Sequence, residues 1–166
     1  YRFLLYFLVY CTNFFKKFRI FISERYILRE DARRFETWEQ NIAAKIGLGV
    51  AIKYALELGL ANIWNRINYL ASELRAKLRQ NPLVTVQDMG EHQCGIVTFT
   101  AKNKSPLEIQ TKLAEQKINV SISLAEYARL DLANRDLPAI VRASVHYYNT
   151  EEEIDRFYNT LLRILE

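Results

Sequence analysis

The chain has 166 residues, 50% of them apolar and 25% charged, with a formal net charge of +4 at pH 7. This length can hold one domain with its own core, and the composition excludes a disordered or collagenous chain. The charge does not mark a nucleic-acid surface. Arg2, Lys16, Lys17 and Arg19 account for it, while residues 23–166 carry 19 bases and 19 acids with no basic stripe or aromatic platform.

Residues 1–22, YRFLLYFLVYCTNFFKKFRIFI, differ in character from the rest, with nine Phe or Tyr among them. Thr12-Asn13 and Lys16-Lys17 interrupt the apolar run, which is too short for a membrane span of about 20 apolar residues. No basic region precedes an apolar stretch and no small-residue cleavage site follows, so it is a poor signal peptide. Three readings stay open: an interfacial anchor, a strand-rich piece of another domain, or translated sequence never selected as protein. The third is preferred, and the expected boundary falls between residues 1–22 and 23–166. Cys11 and Cys94 show no ligand or redox spacing, which fits two buried free thiols in a reducing, cytoplasmic setting.

Further along, Ile42, Ile46, Val50 and Tyr54 recur at four-residue steps and predict a helix from about Glu39 to Leu58. Gly59 is a natural C-cap. A second helix follows with Ile63, Ile67, Leu70, Leu74 and Leu78 on one face, stopped by Asn81-Pro82. Two amphipathic helices with almost no loop predict a bent pair lying across a sheet or a neighbouring domain. Leu83–Val86 and Gly95–Thr100 read as strands, the second alternating Val97 and Phe99 against Ile96, Thr98 and Thr100. Ser105, Pro106 and Glu108 form a capping box with proline at the first helical position. Ile118, Val120 and Ile122 alternate as a strand, residues 124–138 read as a loop with a helical turn, and Ala139–Val145 is another strand. Thr150 and Glu153 form a second capping box before a terminal helix faced by Ile154, Phe157, Leu161 and Leu165. The order ααββαββα predicts an α+β fold: a small, mostly antiparallel sheet covered by helices on one face.

Most candidate sites dissolve on inspection. His92 and His146 are the only histidines and neither has a ligand at helical spacing, so no metal site is expected. His92 lies in a solvated turn, and His146 is expected to be partly buried against Tyr147 and Tyr148. Ser144, His146 and Asp155 lack the strand–turn–helix elbow of a nucleophilic triad. Gly47-x-Gly49 lies inside a helix and is read as a place for close helix packing. Glu151–Glu153 is the acidic first turn of a helix. Arg142 is different, because it interrupts the apolar strand Ile140–Val145. An arginine there needs an anion or solvent, and its planar fork matches a carboxylate. Two readings stand: an internal salt bridge, or a clamp for a substrate carboxylate.

The run Val141-Arg142-Ala143-Ser144-Val145-His146-Tyr147-Tyr148-Asn149-Thr150-Glu151-Glu152-Glu153-Ile154-Asp155 resembles the end of class V aminotransferases. That family includes cysteine desulfurases and isopenicillin N epimerase-like proteins. Arg33-Arg34-Phe35-Glu36-Thr37-Trp38-Glu39 with Asn41 resembles the opening of the family's C-terminal domain. Gly95–Phe99 and Ile118–Ser121 resemble its two central strands. The resemblance runs from about Glu24 to Glu166 and implies the small C-terminal domain of a fold-type I enzyme dependent on pyridoxal phosphate, in which a large domain carries the cofactor lysine. It implies an amino-acid substrate, a homodimer, and Arg142 as the residue that binds the substrate carboxylate. It also assigns Thr37 and Trp38 to the segment that reaches the partner subunit's cofactor phosphate, although Trp38-Glu39 replaces the Gly-Thr pair of the desulfurases. The desulfurase loop that bears a nucleophilic cysteine corresponds to residues 123–138, which contain none. A transaminase, epimerase or C–S lyase parent is therefore expected, with this chain inactive and without cofactor when alone. The alternative is a non-catalytic α+β module that binds a carboxylate or a partner.

Overall fold

The structure, a computed structural model, describes residues 18–22, 25–36 and 39–166. The chain divides into two compact units, residues 1–54 and 55–166.

In the first unit, β1 (Phe18–Ile22) and β2 (Arg25–Leu28) form an antiparallel hairpin. A 3-10 turn, Ala32–Phe35, follows, capped by the Asp31 carboxylate, which accepts from the Arg33 backbone N–H. Helix α1 (Ile42–Leu58) starts where the Asn41 side chain accepts from the Ala44 N–H. No residue of α1 is buried, and Ile42, Ile46, Val50 and Tyr54 are all exposed.

Gly59, at φ 86°, separates α1 from α2 (Leu60–Gln80). A residue with a Cβ is strained in that conformation, so glycine ends one helix where the next begins. The second unit then runs β3 (Val84–Val86), β4 (Ile96–Ala101), α3 (Pro106–Glu115), β5 (Ser121–Leu124), β6 (Ala139–Ser144) and α4 (Glu151–Leu165). Both predicted capping boxes are present: Ser105 with Glu108, and Thr150 with Glu153.

The four strands form one wholly antiparallel sheet in the order β3-β4-β6-β5. Its inner face carries Val97 and Phe99 of β4 opposite Ala143 and Val141 of β6, all buried. Leu70, Leu74 and Leu78 of α2, Ile109 and Leu113 of α3, and Ile154, Phe157 and Leu161 of α4 close over that face. Phe99 meets Phe157 edge-on, with ring centroids 6.2 Å apart. The expected α+β architecture, an antiparallel sheet with helices on one face, is the one observed.

Three expectations shift. Cys94, expected to be a buried thiol, is exposed in the segment leading into β4, and Cys11 lies outside the described residues. Ile118 and Val120 pack against the core but lie outside any strand, and pairing begins only at Ser121. His146 is exposed rather than partly buried, although its ring does stack on Tyr148 at 4.6 Å. Residues 124–138 form the expected loop, with short 3-10 turns at Ala125–Tyr127 and Ala133–Arg135.

Candidate functional site

Side chains alternate across a strand. Because Val141 and Ala143 enter the core, Arg142 and Ser144 point to the outer face of the sheet. Directly opposed residues in an antiparallel pair share a face, and the register sets Arg142 between Thr98 of β4 and Ser121 of β5. Three strands therefore place a hydroxyl, a guanidinium and a second hydroxyl in one row. The Ser121 hydroxyl lies 3.5 Å from the Arg142 carbonyl oxygen, a long and weak contact. Arg142 is exposed and joins no salt bridge among the described residues. Of the two readings of Arg142 taken from sequence, the internal salt bridge is absent among the described residues. With no acceptor for its donors among the described residues, a guanidinium so placed suits a carboxylate.

The hydroxyl of Thr98 is committed elsewhere. It donates to Asp88 Oδ1, which also accepts from the Thr98 N–H at 2.7 Å. Asp88 Oδ2 accepts from Arg75 Nε at 2.6 Å, with the two side chains only 4% and 8% exposed. Arg75 Nη2 donates further to the carbonyl oxygens of Cys94 and Ile96, at 2.7 and 3.0 Å. This network ties α2 to the segment that leads into β4 and fixes one side of the row. Sequence reasoning missed it. The available signal was Arg75 itself, beside Leu74 and three residues before Leu78 on the apolar seam of α2.

The turn after β6 is held from below. Arg66 binds the Glu151 carboxylate with both terminal nitrogens and donates to the Asn149 carbonyl at 3.0 Å. The hydrogen bonds from Arg66 lower the Glu151 carboxyl to about 2. Asn149 Oδ1 accepts from the His146 N–H at 2.8 Å. Together these contacts fix the exposed His146 and Tyr148 just beyond Arg142 in the chain.

The other expected positions contribute less. Thr37 and Trp38 lie outside the described residues. Lys45 and Lys53 are exposed on α1. A Cβ at Gly47 or Gly49 would meet nothing within 4 Å among the described residues, so neither glycine serves close packing against them. No group of three or more metal-ligating side chains occurs among the described residues. No single helix among them is long and apolar enough to cross a membrane.

A family model described as aminotransferase class-V matches residues 15–157. A probable cysteine desulfurase of Methanothermobacter thermautotrophicus is 29% identical over 146 residues, which are 86% of this chain and 36% of that protein. Among solved structures, the apo cysteine desulfurase of Thermococcus onnurineus aligns with a TM-score of 0.73 and 25% identity, over 89% of this chain and 37% of that one. The cystine C–S lyase C-DES, solved with its product cysteine persulfide, aligns with a TM-score of 0.61 and 26% identity, over 89% and 36%. The chain thus spans about a third of the length of the relatives it matches.

Proposed function

Because the chain belongs to the class V aminotransferase family, we propose that its sheet supplies the carboxylate-binding wall of a pyridoxal-phosphate enzyme acting on an amino acid. The observation that carries this reading is Arg142: an exposed guanidinium without an ion-pair partner among the described residues, centred on a hydroxyl-bearing sheet face. Its role is to bind and orient. A bidentate fork fixes the carboxylate plane and so limits which bond of the substrate α-carbon can be aligned for reaction.

The described residues do not by themselves suit the cofactor. A lysine that forms an imine is activated by desolvation, and no lysine among the described residues is buried. When bound in such enzymes, the cofactor serves as an electron sink for the substrate α-carbon. In this reading, that chemistry belongs to residues beyond those described, and the chain alone is inactive.

A C–S lyase reaction on a cysteine- or cystine-like substrate is the favoured type. Residues 123–138 contain no cysteine to accept sulfur, and a cystine C–S lyase is among the structural neighbours. A second reading, a partner-binding module, draws support from α1, whose large apolar side chains are all exposed.

The test of the carboxylate reading is side-chain NMR of 15N-arginine-labelled protein titrated with L-alanine and, separately, with L-alaninamide. A saturable shift of the Arg142 Nε–H with the acid and not the amide is expected. An equal response to both, or a response confined to other arginines, overturns the reading.

A further inference from the structure

A cleft of about 210 Å3 opens beside the last residues of β6, where residues 117–120 approach the start of β5, and Arg142 does not line it. Backbone phase explains the opening. The Val145 N–H donates to the Gly95 carbonyl at 2.7 Å, so the odd residues of β6 turn their backbone groups toward β4. The even residues turn theirs toward β5, where Arg142 pairs with Ser121. Ser144 is the next even residue. Its natural partner by register is Asn119, but β5 starts at Ser121, and no backbone hydrogen bond joins 119 to 144. The Ser144 N–H therefore faces the cleft off the ladder, a donor without an acceptor among the described residues.

Lys117 forms part of the opposite wall. It sits at φ 58°, the left-handed residue that ends α3. Its N–H donates to the Ala114 carbonyl and the Ile118 N–H to the Leu113 carbonyl, the paired bonds of a Schellman motif. Glycine is the residue of lowest cost at that position. The sequence instead keeps a long cation there, exposed and without a salt bridge among the described residues. The helix dipole does not require it, since Lys112 already stands in the last turn of α3.

The remaining charges on the cleft are Arg156 and Glu153. Arg156 donates to the Gln116 carbonyl at 2.7 Å. Glu153 Oε2 is occupied by the Asn149 amide and the Thr150 N–H. Arg156 and Glu153 offset one another, and Lys117 leaves the cleft with a net positive charge that favours an anion. Leu74, Ile154 and Phe157 give it an apolar floor.

We propose that this cleft binds a small carboxylate with an aliphatic body, its anion held by Lys117 and the free N–H of Ser144. The carboxylate replaces the backbone partner that Ser144 lacks, and the aliphatic part covers the floor left open between β6 and residues 118–120.

The test is ligand-observed saturation-transfer NMR on the full chain, with 4-methylpentanoate as the probe and 4-methylpentanamide as its neutral isostere. The acid should bind at least about tenfold more tightly than the amide, the size of one charged hydrogen bond. Lys117→Gly should abolish that preference while leaving the melting temperature unchanged or higher, because glycine relaxes the left-handed turn. Lys117→Arg should retain the preference, and Arg142→Ala should not alter it. Equal binding of acid and amide overturns the proposal, as does absence of binding by the folded protein. Loss of the preference in Arg142→Ala with retention in Lys117→Gly also overturns it, and assigns the anion to the other face of the sheet.

Discussion

Replacing Arg75 with alanine should cost about 3–5 kcal/mol of stability, the range for breaking one partner out of a buried ion pair. The structure shows why the upper part of the stability range for point mutants applies. The substitution removes the Asp88 contact at 2.6 Å and the bonds to the Cys94 and Ile96 carbonyls at 2.7 and 3.0 Å. It leaves a carboxylate that is only 8% exposed, with the Thr98 N–H and hydroxyl as its remaining donors. Arg142→Ala is the internal control. That arginine is exposed and without an ion pair among the described residues, so its loss should stay below about 1 kcal/mol. Urea denaturation of the two variants and the parent, followed by far-UV circular dichroism, measures both. Adding Asp88→Asn to Arg75→Ala should recover part of the loss, because the stranded group is then neutral. If Arg75→Ala costs less than about 1 kcal/mol, water reaches Asp88 and the buried-pair reasoning fails.

Other outcomes follow from the same structure. Glu151 has a lowered carboxyl, about 2 against an ordinary 4.5. Its contact with Arg66 should therefore stabilise fully above about pH 4.5 and be lost as the pH falls toward 2; comparing acid denaturation of the parent and Glu151→Gln detects this, and parallel curves would refute it. Pyridoxal phosphate added to the purified chain should give no specific internal imine; visible absorbance that borohydride fixes to one lysine would contradict this. The exposed apolar side chains of α1 should make the chain self-associate, which light scattering and a hydrophobic dye will report; a monomer at high concentration without dye binding counts against it. Deleting residues 1–22 should leave the unfolding of residues 55–166 cooperative, and loss of that transition would show the segment to be part of the core.

Local chemistry made much of the second unit legible in the sequence. Ser105 with Glu108 and Thr150 with Glu153 announced two helix starts, because capping boxes are set by neighbours a few residues apart. The alternation around Val97 and Phe99 gave both the strand and its buried face. Arg142 was visible as a charge inside an apolar strand, and its outward phase follows from the same alternation. The start of β5 was not legible. Ile118 and Val120 keep the periodicity of a strand and pack on the core, but ladder bonds depend on where β6 lies, which no local pattern records. The pairing of Arg75 with Asp88 was hidden for a related reason. The sequence shows a charge on the seam of α2, while its partner lies in an unpatterned turn. The apolar face of α1 predicts cover for a sheet or a neighbouring domain, and its large apolar side chains are exposed in this chain.

The position of β6 constrains how this sheet can be made during synthesis. The strand lies between β4 and β5 in the sheet but follows both in the chain, beginning only at Ala139. Until it leaves the ribosome, β4 has one neighbour and β5 has none. A nascent chain halted before residue 139 would leave open the two strand edges that β6 otherwise covers and expose leucines of α2, a state prone to capture by chaperones or to aggregation. The sheet therefore cannot close until β6 is made, and a frameshift or premature stop ahead of β6 splits it into a β3-β4 hairpin and an unpaired β5 rather than trimming one end.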